Sequence, residues 1–236
     1  DGTANVLNIF PHKKQPIYRI TFMDGDSCEC GLDHLWEVHA AQKQDSEVLT
    51  TRAILRDGLR YNDRPKWSVK LPQPVGFTQQ DVDIHPYLLG ALLGDGGISK
   101  PGLTFHNIDQ DILSLVASYL PENHQLIQDK TKSCDHRINA NGPPVLREQL
   151  QSYGLHGHTS HTKFIPIEYK YNSYDIRLSL LQGLMDTNGS ISKTGWCEYT
   201  TVSQQLSLDV KELVQSLGGI CTCNIRKTSW THNGVK

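Results

Sequence analysis

The chain has 236 residues, of which 37% are hydrophobic, and a formal net charge of −2 at pH 7. This length and hydrophobic content are enough for one large or two small domains with buried cores. The sequence has no apolar run long enough for a membrane helix and no signal-peptide pattern, so we expect a cytoplasmic protein without a membrane partner. Because nucleic-acid-binding proteins are usually basic, the balanced charge restricts any DNA contact to a local patch.

The first 50 residues are predicted to be rich in β structure. Residues 17–22 alternate between apolar and polar side chains, Asp24-Gly25 is typical of a tight turn, and a second strand is expected through Cys28. The six cysteines are too sparse for a disulfide framework, and the two C-x-C pairs lack the usual zinc spacing. We therefore expect free thiols on strands.

Residues 29–38, ECGLDHLWEV, resemble the second sequence block of intein splicing domains. That resemblance implies that His34 is the splicing histidine, which polarises the scissile N-terminal peptide bond; Gly31 stands where inteins have threonine. The chain begins with Asp1 rather than a nucleophilic Cys or Ser, and residues 231–234, Thr-His-Asn-Gly, lack a preceding apolar strand. We expect a partial splicing domain that does not splice as given.

Residues 51–83 are predicted to form a basic connection. A helix is expected to start at Thr51, and the four-residue spacing of the arginines would put them near one face, although Gly58 interrupts it. Pro65, Pro72 and Pro74 indicate an extended linker after it. The segment is either a DNA contact or a solvated linker. Its basic residues are Arg52, Arg56, Arg60, Arg64, Lys66 and Lys70.

Residues 88–96, LLGALLGDG, recur as residues 181–189, LQGLMDTNG, at a constant offset of 93 residues. Each copy is predicted to be a helix, with Pro86 in the first turn of the first and Asp175 near the start of the second. Gly90 and Gly94 lie four residues apart, as do Gly183 and Thr187, so each helix has a face almost without side chains. We expect the two faces to pack backbone against backbone.

Gly96 and Gly189 follow the two predicted helices, and we expect both to adopt the left-handed conformation common after a helix end. Beyond Gly96 the patterns predict two strands (97–107), a helix (109–120), two more strands (123–140) and a helix (144–153). The second copy is expected to repeat this order with a strand at 196–202, a helix through Leu217 and a strand from Ile220.

The repeated segment resembles the motif of the LAGLIDADG homing endonucleases, in which two such helices form the interface between pseudo-symmetric halves. In that family the last acidic residue of each motif binds the divalent metals that cleave DNA. This role carries over to Asp95, whereas Asn188 stands where the second aspartate is expected. The structural alternative is two small-residue helices that pack as core, with Asp95 at the surface.

The resemblance implies a magnesium site at the two helix ends, in which Mn²⁺ or Ca²⁺ can replace Mg²⁺ for binding. Two helix C-termini with carboxylates favour a hard cation whose remaining ligands are water and phosphate oxygens. We expect the ligands to come from Asp95 and Asn188 with the neighbouring Gly94 and Thr187. The amide of Asn188 is a weaker ligand, so we expect slow cleavage or nicking. His156, His158 and His161 have metal-like spacing in a glycine-rich turn, but no cysteine accompanies them.

Three lysines are candidate catalytic residues beside Asp95 and Asn188. Lys163 begins a K-x-I-P element that resembles one found before the second motif of intein endonucleases. Lys100 and Lys193 occupy matching places in the two halves and could approach the DNA backbone near each cut. Alternatively, each of these lysines is simply solvated.

Base recognition is assigned to the strands, because a β-ribbon fits the major groove. The sequence leaves open which of the alternating sets faces DNA; Asp135 and Glu198 belong to candidate sets as well. The candidate DNA-binding residues are Arg52, Arg56, Arg60, Arg64, Lys66, Lys70, Lys100, Thr104, His106, Arg137, Lys193, Thr200, Asn224, Arg226 and Lys227.

These patterns together predict a mixed α/β (α+β) protein with two pseudo-symmetric αββαββα halves after a partial β-rich splicing segment. The expected divisions are 1–50, 51–83, 84–160 and 161–236, the last lacking its final elements. The expected function is that of an intein-borne, site-specific double-stranded DNA endonuclease acting as a monomer. The alternatives are a DNA-binding module without cleavage and a protein-splicing remnant.

Overall fold

A computed structural model describes residues 5–11, 13–41, 43 and 45–227; the candidate splicing residues 231–234 lie outside this range. The chain divides into two compact units. The first unit contains residues up to Gln73 with Gly218–Thr222, and the second contains Pro74–Leu217 with the residues from Cys223 onward. The described residues form several small antiparallel sheets and seven helices, which confirms a mixed α/β protein. None of these helices is both long and apolar enough to cross a membrane.

The first unit is built from short antiparallel strands. Strands β1 (Tyr18–Thr21) and β2 (Ser27–Cys30) pair across a turn in which Gly25 has φ +88°, as the sequence predicts. The next two strands in sequence, β3 (Leu35–Ala40) and β4 (Ser46–Thr50), pair with each other. No disulfide joins the six cysteines, all of which are among the described residues. Cys28, Cys30 and Cys197 lie on strands as expected, whereas Cys134, Cys221 and Cys223 do not.

Helix α1 (Thr51–Asp57) begins at Thr50, whose hydroxyl accepts a hydrogen bond from the amide of Ala53, and ends at Gly58 with φ +79°. The arginines therefore do not share one helix face: Arg60 and Arg64 lie on strands β5 (Arg60–Tyr61) and β6 (Arg64–Pro65). The turn between these strands uses two residues with positive φ, Asn62 and Asp63, a pair suited to a tight hairpin.

The expected extended linker is also partly wrong, because strand β7 (Trp67–Val69) pairs with β3 in a sheet of order β4-β3-β7. Residues assigned to the linker thus complete a sheet of the first unit. Trp67 explains the difference: its indole nitrogen donates a hydrogen bond to the carbonyl of Gly58 at 2.9 Å, which ties the segment back to the end of α1.

The first part of the second unit has the order of elements that the sequence predicts. Its four strands form one antiparallel sheet of order β10-β11-β9-β8, whose apolar face packs in the main core. The elements are α2 (Pro86–Asp95), β8 (Gly96–Gly97), β9 (Leu103–His106), α3 (Gln110–Tyr119), β10 (His124–Gln128), β11 (Asp135–Ala140) and α4 (Val145–Ser152).

The following part repeats the series helix, strand, strand, helix but not the rest. Its elements are α5 (Ile167–Lys170), α6 (Tyr174–Asn188), β12 (Gly189–Ile191), β13 (Cys197–Tyr199) and α7 (Gln204–Ser216). The strand expected from Ile220 is wrong, because residues 218–227 form none. Ile220 and Ile225 are 60% and 94% exposed, so the alternating pattern there has no apolar surface to cover.

Helices α2 and α6 pack backbone against backbone, which confirms the expectation from the repeat. A Cβ atom on Gly90 would lie 2.2 Å from the carbonyl oxygen of Leu180, and one on Gly183 would lie 2.1 Å from that of Tyr87. Real side chains do not tolerate such distances, so only glycine fits at these two crossing points. Pro86 occupies the start of α2 and Asp175 the first turn of α6, also as predicted.

The glycines that follow the two helices do not adopt the left-handed conformation, which corrects that prediction. Gly96 has φ −78° and Gly189 has φ −87°, both in extended backbone. The chain passes directly from helix into strand, folding over the last helical turn. A Cβ atom would lie 2.5 Å from the Leu92 oxygen at Gly96, and 2.3 Å from the Met185 oxygen at Gly189. Glycine is therefore required at both positions because the chain passes close to the last helical turn, and not because φ is positive.

Candidate functional site

The packed helices bring their C-terminal ends to one place. Thr187 fills the space opposite Gly94, where a Cβ atom would lie 2.0 Å from the Thr187 hydroxyl oxygen and 3.6 Å from the side-chain carbon of Asn188. The Thr187 hydroxyl donates to the carbonyl of Gly183 within its own helix. Asp95, which follows Gly94, and Asn188 therefore lie close together where the two helices end, a place that we call the shared tip.

Asp95 is half-buried, and one of its oxygens accepts a hydrogen bond from the side-chain nitrogen of Asn107 at 2.8 Å. Burial raises the pKa of Asp95, while Asn107 and the positive charges of Lys163 and His106 oppose that rise. Sequence reasoning missed Asn107, which lies just after β9. Its position beside Asp95 depends on how β9 and β8 pair, which the local sequence does not reveal.

Tyr199 is the residue beside Asn188 at the other helix end. Burial raises the pKa of Tyr199 to about 12; the Asn188 side chain near its hydroxyl opposes the rise, and the negative charge of Asp95 adds to it. Asn188 lies outside ordinary hydrogen-bonding geometry, so the hydroxyl has no partner within the described residues. Tyr199 is therefore close to both members of the shared tip.

Lys163 is buried, with 3% of its surface exposed, and its amine reaches into the C-terminal turn of α2. The amine donates to the carbonyls of Leu92 at 2.9 Å, Leu93 at 3.0 Å and Gly96 at 2.7 Å, and more weakly to that of Gly94 at 3.4 Å. A cation is favoured at this end of a helix because its carbonyls carry partial negative charge.

Burial lowers the pKa of Lys163 to about 8, and the charge of Asp95 opposes this shift. The backbone carbonyl of Lys163 in turn accepts a hydrogen bond from the Ser203 hydroxyl at 2.6 Å, and Ser203 caps α7. Residue 163 thus connects the tip of α2 to the start of α7.

A cleft of about 330 Å³ opens beside Asp95 and Lys163. A loop between α4 and α5 forms one wall, because the amide of Gly157 donates to the carbonyl of Ile98 and a ring nitrogen of His156 lies 3.1 Å from that of Lys100. The cleft is lined by Gly94, Asp95, Gly96, Gly97, Ile98, Ser99, His106, His158, Thr159, Ser160 and Lys163. The side chains of Lys100 and Lys193 are exposed and are not among these residues.

The exposed face of the four-stranded sheet carries three of the candidate DNA-binding residues, Thr104, His106 and Arg137. Thr104 lies opposite Arg137 in the register of β9 and β11, and His106 lies opposite Asp135. The intervening residues, such as Phe105 and Ile138, are buried. The structure therefore selects one of the two alternating sets as the exposed one.

Hydrogen bonds fix His106 on this face. Its Nδ1 lies 2.9 Å from Asp135 and its Nε2 lies 2.9 Å from the Thr104 hydroxyl. The hydrogen bond from His106 lowers the pKa of Asp135. Arg137 pairs with Asp129 at 3.3 Å. The side chains are thus held in place but remain exposed.

The remaining candidates are more scattered. Thr200 follows β13 and its amide donates to the carbonyl of Asn188 at 3.1 Å, which puts it near the tip of α6. Three others, Asn224, Arg226 and Lys227, are exposed and belong to no strand.

In the first unit most basic candidates have partners of their own. Arg52 pairs with Asp33, Arg56 pairs with Asp57, and Arg60 and Lys66 donate to backbone carbonyls, while Arg64 and Lys70 are exposed. The His34 ring packs edge-on against Trp36 with ring centres 4.9 Å apart.

The two helix ends offer few donor atoms for a metal ion. Within the described ranges, no group of three or more His, Cys, Asp or Glu side chains is arranged so that it could hold a metal ion. The Gly94 carbonyl already accepts a hydrogen bond from Lys163. One carboxylate and one amide remain, which suits Mg²⁺ only as a centre completed by water and phosphate oxygens.

No protein-family model matches the sequence. The chain is similar to the replicative DNA helicase DnaB of Mycobacterium intracellulare, with 25% identity over 233 residues, 90% of this chain and 36% of that protein. It is also similar to a DNA gyrase subunit of Mycobacterium kansasii, with 24% identity over 159 residues, 63% of this chain and 29% of that protein. The chain thus spans about a third of the length of these curated relatives.

Proposed function

We propose that this chain is a LAGLIDADG homing endonuclease carried by an intein, and that Asn188 limits its cleavage of double-stranded DNA. The observation that carries the proposal is the backbone contact of α2 and α6 at Gly90 and Gly183, which we call the glycine seam. This contact brings Asp95 and Asn188 together at one tip. Two small-residue helices could pack as core without function. A half-buried carboxylate at their tip, beside an open cleft, is what a phosphodiester hydrolase needs.

The relatives support an element that is inserted into different proteins. One sequence is similar to about a third of a helicase and to about a third of a gyrase subunit, two proteins with different activities. A segment shared by both is therefore a poor candidate for either activity. An intein with its endonuclease would explain the shared segment, and His34 in the β-rich first unit agrees with that origin.

Mg²⁺ would be held by Asp95 and Asn188, and it would supply charge stabilisation of the phosphate and of the leaving oxygen. The chain's own groups do the rest. Asn107 orients the Asp95 carboxylate, and Lys163 compensates the partial charge of the α2 end. The exposed sheet face with Thr104, His106 and Arg137 would read a groove of the bound DNA.

Because an amide carries no charge, Asn188 leaves the second half with a weaker site than the first. We expect the chain to bind its target and to cut slowly or to nick one strand. Replacing Asn188 by Asp restores the second carboxylate, and we expect cleavage to rise by orders of magnitude.

The experiment begins with the selection of bound duplexes from a randomised DNA library in Ca²⁺, followed by incubation of the selected duplex with Mg²⁺ or Mn²⁺. We expect protection by the wild-type protein, faster cleavage by Asn188→Asp, and none by Asp95→Asn in the same background. A selected duplex that Asn188→Asp leaves intact in every metal would refute the endonuclease.

Asn188 specifically favours a second candidate, a DNA-binding module without cleavage. This alternative predicts that the wild-type protein and Asn188→Asp both select and protect a duplex, and that neither of them cuts it. A chain that selects no duplex at all is instead a splicing remnant, for which DNA is irrelevant.

A further inference from the structure

The loop between α4 and α5 fixes two histidines by different ring nitrogens. The His156 Nε2 lies 3.1 Å from the carbonyl oxygen of Lys100, and the His158 Nδ1 lies 2.8 Å from that of Thr162. A carbonyl oxygen only accepts, so each of these nitrogens carries the hydrogen. Neutral His158 therefore keeps its lone pair on Nε2.

His158 is also held in place at the wall of the cleft that contains Asp95. Its ring packs edge-on against Phe164, with ring centres 5.3 Å apart. Within the described residues, its Nε2 makes no hydrogen bond. An imidazole whose Nδ1–H is bound to a backbone carbonyl is oriented to accept a proton, or to bind a ligand, at the other nitrogen.

The other titratable groups around the cleft are already engaged. Asp95 accepts from Asn107, the Lys163 amine is bound to the carbonyls of α2, and His106 is bound to Asp135 through one nitrogen and to Thr104 through the other. His158 is the cleft imidazole with an uncommitted lone pair. His156 and His161 do not line the cleft.

We propose that His158 accepts the proton of the water that attacks the phosphodiester beside Asp95, an inference that depends on the proposed endonuclease function. The water oxygen forms a bond to phosphorus while its proton passes to the His158 Nε2. The bond from phosphorus to the leaving deoxyribose oxygen breaks, and that oxygen takes a proton from solvent. The described cleft lies beside α2, so the effect is confined to one DNA strand.

The test is single-turnover cleavage of the selected duplex with each strand labelled separately. In His158→Asn the amide nitrogen can keep the hydrogen bond to Thr162, but the basic nitrogen is lost. We expect this variant to cut one strand about 10²–10⁴-fold more slowly, the usual contribution of a general base, with unchanged DNA affinity. His161→Asn, on an exposed residue of the same loop, is the matched control and should cut at the wild-type rate.

The pH profile separates catalysis from loop structure. The wild-type rate should fall as pH falls, because a protonated imidazole cannot accept a proton, and His158→Asn should lose that dependence. Added imidazole should accelerate His158→Ala but not His161→Ala. The proposed role of His158 would be overturned, with the endonuclease function left standing, by either of two results. One is a wild-type cleavage rate in His158→Asn; the other is an equal loss of cleavage rate on both strands together with weaker DNA binding. Absence of cleavage by both wild type and Asn188→Asp would overturn the proposed function as well.

Discussion

At the end of α2, the Asp95 side chain is held by Asn107 and lies beside Lys163 and an open cleft, whereas at the end of α6 the Asn188 side chain lies near the Tyr199 hydroxyl. The two helices share the same glycine seam and the same direct passage into a strand. The difference is that the strands after α2 belong to a four-stranded sheet, whereas those after α6 form a two-stranded hairpin. The two helices thus share their packing, while the chemistry around each tip differs.

The shared seam is the part of the comparison that a single substitution breaks most severely. In Gly183→Val the new side chain would collide with the backbone of Tyr87, so we expect a loss of more than about 4 kcal/mol of unfolding free energy. Denaturant unfolding measures this loss. Gly102→Ala is the control, because no described atom apart from those of the glycine and its two chain neighbours lies within 4 Å of its Cβ position, and it should change stability by less than about 0.5 kcal/mol. A stable Gly183→Val protein would contradict the packed seam.

Lys163 distinguishes the two tips, and its loss should have the next largest effect. Lys163→Met leaves the carbonyls at the end of α2 without their donor, at a cost of about 2–3 kcal/mol in the free energy of unfolding. Lys193→Met, on an exposed lysine of the second half, should leave stability unchanged.

The pH dependence of stability checks the burial of this lysine. The pKa of Lys163 is lowered to about 8 in the folded chain and lies near 10.4 in an unfolded one. Between these values the unfolded chain binds more protons, so stability contributed by this group rises with pH across that interval and is constant below it. Chemical denaturation from pH 7 to 10 should show the rise in wild type, and Lys163→Met should lack it. Identical profiles would mean that the amine is not buried.

The sheet face of the first half should give the smallest effect. Arg137→Ala removes an exposed cation from the face that carries Thr104 and His106, and we expect DNA affinity to fall by about 1 kcal/mol with a shallower salt dependence. Titration of the selected duplex at several salt concentrations measures both. Arg19→Ala, an exposed arginine paired with Glu29 in the first unit, should bind as wild type does. Equal losses in the two variants would argue against this face as the DNA contact.

The sequence predicted the parts of the fold that depend on local pattern. The repeat gave both helices and their close packing, because glycines four residues apart mark one bare face whatever surrounds them. The expectation for Gly96 and Gly189 was wrong because a glycine after a helix satisfies either a left-handed backbone or a close approach, and local sequence does not separate the two. The strand expected from Ile220 did not form, because alternation predicts a strand only where a partner strand and an apolar surface exist.

The candidate site was predictable only at the helix ends themselves. Asn107 reaches Asp95 across 12 residues, and Lys163 reaches the carbonyls of Leu92 and Gly96 across 71 and 67 residues. The place of His158 in the cleft depends on the hydrogen bond between Gly157 and Ile98. Such contacts arise from tertiary packing, which spacing along the chain does not encode.

The contact of Gly90 and Gly183 with main-chain atoms has a consequence for the distance between the two helix tips. Side chains can change rotamer, but main chain in a helix cannot, so this crossing allows little sliding or rotation of one helix on the other. The gap from Asp95 to Asn188 therefore behaves as a fixed length. Exposed side chains can diverge widely without altering that length, and any enzyme built on it would keep a constant spacing between its two cuts while its preferred sequence changed.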